Sequence, residues 1–101
     1  MVKNIFKNIP VYLKDELIEQ IINSSNCKIE RIVSRLHPTP KDKWYNQEKD
    51  EFVLILKGSA GLRFEDKQIR MKEGDYIIIP KYTRHRVEKT SEETIWLAVF
   101  Y

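Results

Sequence analysis

Between residues 13 and 24, Leu13, Leu17, Ile18, Ile21 and Ile22 recur at the spacing of one helical face, and this apolar stripe predicts a short helix. Asp15, Glu16 and Glu19 fall early in it, where the positive end of the helix dipole favours acidic side chains. Asn23-Ser24-Ser25-Asn26 reads as its stop. From Lys28 onward the texture changes to short, β-rich runs. KIERIVSRL at 28–36 is a strand candidate, and HPTPKD at 37–42 is a loop, because Pro38 and Pro40 remove backbone donors and restrict their neighbours. FVLIL at 52–56 is apolar at every position, the pattern of a strand covered on both faces. AGLRFE at 60–65 alternates Ala60, Leu62 and Phe64 with Gly61, Arg63 and Glu65, a half-buried strand whose Arg63 is solvated. KQIRMK at 67–72 pairs with it through a tight turn near Asp66. YIIIP, HRVE and ETIWLAVF complete about seven short strands at roughly 8–12-residue spacing, the signature of an all-β sandwich or barrel.

Composition narrows the class. A chain of 101 residues supports one domain with a single core, and no repeat or linker divides it. Hydrophobic content of 42% with 33% charged residues is the balance of a folded globular protein, not of a disordered one. No apolar run approaches the ~20 residues of a membrane-spanning helix, so no membrane partner is expected. The opening MVKNIFKNIPVYLKDE has no apolar segment long enough for a secretory signal, which predicts a cytoplasmic location. Cys27 is the single cysteine, which excludes an internal disulfide and every multi-cysteine zinc site and fits a reducing compartment. The net charge of +3, from 18 basic and 15 acidic residues, is interspersed in sign. The densest basic cluster, YTRHR, is too short to form a basic face, so no nucleic-acid partner is expected.

Two stretches carry candidate chemistry. In WYNQEKDEFVLILKG, residues 44–58, Glu51 is followed by six residues and then Gly58. In GDYIIIPKYTRH, residues 74–85, Gly74 is followed by five residues, Pro80, and then His85. Gln47 and Glu51 flank a three-residue segment and can face each other across a turn. Each residue also has a plain structural reading. Glu51 can pair with an arginine or cap a turn, and His85 can be a buried neutral histidine hydrogen-bonded to Glu51. Trp44 and Tyr45 are amphipathic aromatics that suit a barrel rim or the wall of a ligand pocket. Trp96 and Phe100 read as core packing. Arg84 and Arg86 flank His85, and strand alternation puts both on the face opposite to it, in solvent or at a subunit interface.

This pair of patterns resembles the two motifs of the cupin superfamily, small β-barrels of the jelly-roll type. The first cupin motif carries two histidines one residue apart, a glutamate three or four residues on, and a glycine after six more. Glu51 and Gly58 occupy the last two places, while the histidine places fall on Tyr45 and Gln47. In the second motif Gly74, Pro80 and His85 match, Tyr82 replaces a glycine and Lys89 an asparagine. IERIVS, DEFVLILKGSAGLRFE, IPKYTRHRVE and TIWLAVFY extend the likeness to a group of small single-domain bacterial cupins, from about Pro10 to Tyr101.

The resemblance implies one domain over 1–101, with a helical extension at 1–27 preceding a cupin-type jelly-roll β-barrel at 28–101. It implies a site for a divalent metal ion (iron, nickel, manganese or zinc) or a small polar metabolite, with Gln47, Glu51 and His85 as ligands. Tyr45 would line that pocket and Trp44 would stand near its entrance; His37, preceding PTP, is a substitute ligand or a residue of the barrel mouth. Three functions follow. One is a metal-dependent enzyme of dioxygenase or isomerase type; the second is a non-catalytic metabolite-binding or sensor module. The third is a metal-free enzyme in which Glu51 and His85 form an acid–base pair. The resemblance also implies a homodimer.

Overall fold

The stretch predicted as a helix is a strand. The computed structural model describes residues 1–101 and contains eight strands and no helix. They are β1 (Leu17–Asn23), β2 (Lys28–Ser34), β3 (Glu51–Lys57), β4 (Ser59–Phe64), β5 (Gln68–Lys72), β6 (Tyr76–Ile79), β7 (His85–Thr90) and β8 (Thr94–Phe100). β1 pairs antiparallel with β2, from Leu17 opposite Val33 to Asn23 opposite Lys28. Its register shifts between Gln20 and Ile22, so Ile21 is an extra bulged residue. The bulge breaks the period of two and brings apolar residues to positions 17, 18, 21 and 22, which mimics a helical stripe. The β-branched isoleucines and the available edge of β2 favour the strand. Asn23 to Asn26 does not end a helix but turns a hairpin, closed by Ser24 N–H donating to the Cys27 carbonyl at 2.9 Å. The N-terminal part is therefore not a helical extension, since β1 is integral to the sheet.

Two antiparallel sheets face each other, a five-stranded one in the order β1-β2-β8-β3-β6 and a three-stranded one in the order β5-β4-β7. The pairings fix the faces. Ile32 lies opposite Trp96, Ile55 opposite Trp96, and Glu51 opposite both Phe100 and Ile79, so these side chains share the inner face of the large sheet. Val53, Ile55, Ile79 and Trp96 of that face meet Ala60, Leu62, Phe64 and Met71 of the small sheet in one buried cluster. At ~25 cal/mol per Å² of apolar surface buried, such a cluster is the main favourable term for the domain. On the outer face, Arg31 and Arg35 tie the N-terminal segment down by donating to the carbonyls of Ile5, Lys7, Pro10 and Val11. The same face leaves Tyr76 and Ile78 of edge strand β6 exposed.

Two turns set the positions of the strands that carry the site. Gly58 joins β3 to β4 at φ 82°, and a Cβ there would collide with the Glu93 carbonyl and the Ser91 hydroxyl. Tyr82, in the loop between β6 and β7, adopts φ 63° although it is not glycine. Its N–H donates to the Gln47 carbonyl at 2.7 Å, which binds this loop to the one that leads into β3.

Candidate functional site

Glu51 begins β3, the strand between β8 and β6, and its position is clamped by reciprocal backbone bonds of 3.0 Å between Asp50 and Tyr101. His85 begins β7 on the opposite sheet. Tyr45 pairs with His85 through two backbone bonds, Tyr45 N–H to His85 O at 2.7 Å and His85 N–H to Tyr45 O at 3.1 Å. Partners in such a bridge present their side chains on one face, and the two rings lie with centroids 5.7 Å apart.

Gln47 completes the group: its amide donates to Glu51 Oε1 at 2.7 Å and lies 3.5 Å from His85 Nε2. His85 Nε2 is 3.6 Å from the same Glu51 oxygen, and both residues are buried. His85 Nδ1 lies 2.8 Å from the Thr83 carbonyl, which can only accept, so Nδ1 carries a proton and Nε2 faces the interior. Burial pulls the His85 pKa down, but the Glu51 carboxylate and the Thr83 carbonyl outweigh it, and the result is a pKa above the usual 6.5.

These residues stand at one end of a mostly apolar cavity of about 120 Å³ between the sheets. Trp96, Phe100, Val53, Leu62 and Ile79 form much of its wall. Two acidic residues absent from the expected set also line it, Glu16 just before β1 and Glu30 on β2. The Ser34 hydroxyl donates to Glu16 Oε2 at 2.9 Å, and Trp96 Nε1 donates to Ser34 Oγ at 3.3 Å. Burial pushes the Glu16 carboxyl up from 4.5, against the Ser34 hydrogen bond. The Tyr45 phenol is likewise raised, first by burial and then by the charge of Glu16. Reading residues 13–24 as a helix hid Glu16. Glu30 was hidden because both faces of KIERIVS mix charged and apolar residues, so alternation alone does not say which is inner.

Trp44, expected near the entrance, does not join the lining. Because Tyr45 shares the face of His85, its neighbour Trp44 shares the face of Arg84 and Arg86, whose guanidinium carbons lie 4.8 and 5.9 Å from its ring centroid. The two arginines are therefore on the side away from His85, stacked on an aromatic rather than free. His37 is also elsewhere. Its Nδ1 accepts from Arg35 N–H at 2.9 Å and its Nε2 meets the Lys14 carbonyl at 3.1 Å, so both nitrogens are engaged.

Residues 32–100 match the Cupin domain family. The chain belongs to the cupin family. An uncharacterised protein of Aquifex aeolicus is 32% identical to this cupin over 104 residues, covering 90% of this chain and 84% of its own. A solved structure from Ralstonia eutropha, provisionally described as a mannose-6-phosphate isomerase, is 36% identical, with a TM-score of 0.93 over 99% of this chain and 96% of that one. A cupin superfamily protein of Desulfitobacterium hafniense shares the fold at 18% identity and TM-score 0.79, covering 91% and 82% of the two chains.

The metal centre that the fold family implies can be tested against this cupin's own donors. A first-row divalent ion takes imidazole and carboxylate donors at roughly 2.0–2.2 Å. Glu51 and His85 are the donors of that kind at this end of the cavity, and no group of three or more His, Cys, Asp or Glu converges to hold an ion. Gln47 turns its N–H side, not its oxygen, toward Glu51. Tyr45 is a phenol held in its neutral form. The residues present do not fit a resident metal.

Proposed function

We propose that the cavity binds a small organic metabolite and that Glu51 and His85 act on it as a proton donor–acceptor pair, without a resident metal. The observation that carries this reading is the fixed imidazole: Nδ1 is anchored on Thr83, which leaves Nε2 directed into the cavity 3.6 Å from the Glu51 carboxylate. A raised imidazole pKa beside a carboxylate keeps an acid and a base available together near neutral pH. That is what an isomerisation asks of a protein, since one group removes a proton from carbon and another returns one to a neighbouring atom. The provisional description of the Ralstonia relative supports this reaction class. The metal-dependent alternative has less support, because Tyr45 and Gln47 occupy the histidine places.

The test combines metal analysis with ligand-induced stabilisation on the full chain. Protein produced with added iron, nickel, manganese or zinc and then dialysed is expected to hold only substoichiometric metal. A metabolite that raises the melting temperature of the wild type is expected to lose that effect in Glu51→Gln and His85→Gln, both still folded. One metal per chain surviving dialysis, or stabilisation unchanged in both variants, overturns the reading.

A further inference from the structure

The strand pairings gather on one face basic residues that the sequence keeps apart. In the small sheet Ala60, Leu62, Phe64 and Met71 point into the core, so the residues between them point out. On that outer face Ser59 pairs with Lys72, Gly61 with Arg70 on one side and Lys89 on the other, and Arg63 with Gln68 and Arg86. A Cβ at Gly61 would lie 3.9 Å from that of Lys89, as residues on one face do. The one carboxylate among them is Glu88, the extra residue of a bulge in β7, 3.3 Å from Arg86 and 3.9 Å from Arg63. Five cations against one carboxylate leave a net +4 on this face, more than the +3 of the whole chain. Glu65, Asp66, Glu73 and Asp75 lie in the turns at the ends of these strands.

Arg86 is already engaged, since it donates to the carbonyls of Thr39 and Lys43. Arg63, Arg70, Lys72 and Lys89 are exposed, and the last three join none of the chain's ion pairs. Arg70 and Lys89 stand on either side of Gly61, two strand spacings or roughly 10 Å apart, with no side chain between them. Arg70 and Lys72 follow one another along β5 at roughly 7 Å. Like charges gathered on one face of a sheet are destabilising, and an anion laid along this trough relieves them. The neutral members of the face, Ser59, Gly61 and Gln68, indicate the kind of anion. A membrane-binding face carries apolar side chains that enter the lipid, and a protein-binding face has apolar or aromatic side chains at its centre. This face has neither. A phosphodiester backbone needs only spaced cations and hydrogen-bond donors.

We propose that the outer face of the small sheet binds a nucleic-acid strand through its phosphates, without regard to base sequence. The cavity lies on the other side of this sheet, so the assignment is independent of what the cavity holds.

Fluorescence anisotropy of a labelled oligothymidylate of about twelve nucleotides, titrated with the full chain, tests the assignment. With four phosphates neutralised, affinity is expected to fall roughly 50-fold between 50 and 200 mM salt. Arg70→Gln/Lys89→Gln should weaken binding at least ~10-fold at the lower salt and make the salt dependence shallower. Gly61→Glu, whose Cβ has room, should abolish binding by placing a carboxylate in the trough. Lys3→Gln/Lys7→Gln makes the same change of net charge on the N-terminal segment and should leave affinity within about twofold. Equal losses in the two double variants overturn the assignment, because net charge alone then accounts for binding. Binding indifferent to salt overturns it too, as does equal binding of a poly-aspartate peptide or of phosphatidylserine vesicles. No binding at 50 mM salt, where the expected affinity is highest, overturns it outright. If Gly61→Glu does not fold, Arg70→Gln/Lys89→Gln decides, since both positions are exposed.

Discussion

Tyr45 and His85 are held side by side by their backbones, not by their side chains, through bonds of 2.7 and 3.1 Å that any residue other than proline at position 45 can make. Whatever side chain stands at 45 therefore faces the cavity beside the imidazole. Gln47 is held there too, hydrogen-bonded to Glu51. The double variant Tyr45→His/Gln47→His should thus bring three imidazoles and one carboxylate together and acquire one divalent metal per chain, measured by elemental analysis after dialysis. The wild type should stay substoichiometric under the same conditions.

The pH dependence of stability has a definite sign. The folded-state pKa of His85 is raised above 6.5, because Glu51 and the Thr83 carbonyl outweigh burial. A group that binds its proton more tightly when folded contributes stability that is fully present below its unfolded pKa and lost as pH rises through the folded value. Wild-type urea midpoints should therefore decline as pH rises above about 6.5. In His85→Gln this part of the slope should disappear. Glu16, raised mainly by burial, has the same sign in a lower window that opens at 4.5, its ordinary value.

Tyr82 occupies a left-handed conformation at φ 63° and is 65% exposed. A non-glycine residue there costs roughly 1 kcal/mol or more, whereas glycine costs some of that back through the greater freedom of the unfolded chain. Tyr82→Gly should leave the melting temperature unchanged or raise it. Lys81→Gly, one residue earlier and also exposed, should lower it by an amount equivalent to ~0.5–1 kcal/mol.

Gly58 offers the opposite case. Its φ of 82° and the Glu93 carbonyl and Ser91 hydroxyl packed against its Cα leave no room for a methyl group. Gly58→Ala should destabilise by more than the ~1–3 kcal/mol of the strained backbone alone, measured by denaturant unfolding. Gly74→Ala, at φ 89° with open space around it, should cost only the backbone part.

Much of the fold was legible because short β-branched and apolar runs are set between turn residues at regular spacing. AGLRFE alternates cleanly, and Ala60, Leu62 and Phe64 are buried as that alternation requires. The N-terminal strand was not legible, since a single bulged residue, Ile21, converted a period of two into an apparent helical stripe. The same slip concealed Glu16, which lines the cavity. Among the site residues, Gln47 meets Glu51 across the short turn between them, and His85 joins them from the opposite sheet, a placement that only the cupin resemblance implied. Trp44 is not, because one step along an extended chain turns a side chain to the other face. Which partners His85 has depends on the Thr83 carbonyl and on pairing with a residue forty positions away in sequence, and neither is written in a local pattern.

Titration of the His85 imidazole measures its coupling to Glu51 most directly. With two histidines in the chain, the ring resonances can be assigned by comparison with His37→Gln and followed by NMR from pH 5 to 9. The predicted result is a His85 pKa above 6.5 that falls clearly in Glu51→Gln, while the fold is retained. A His85 pKa at or below the ordinary value, unmoved by Glu51→Gln, would contradict the proton pair.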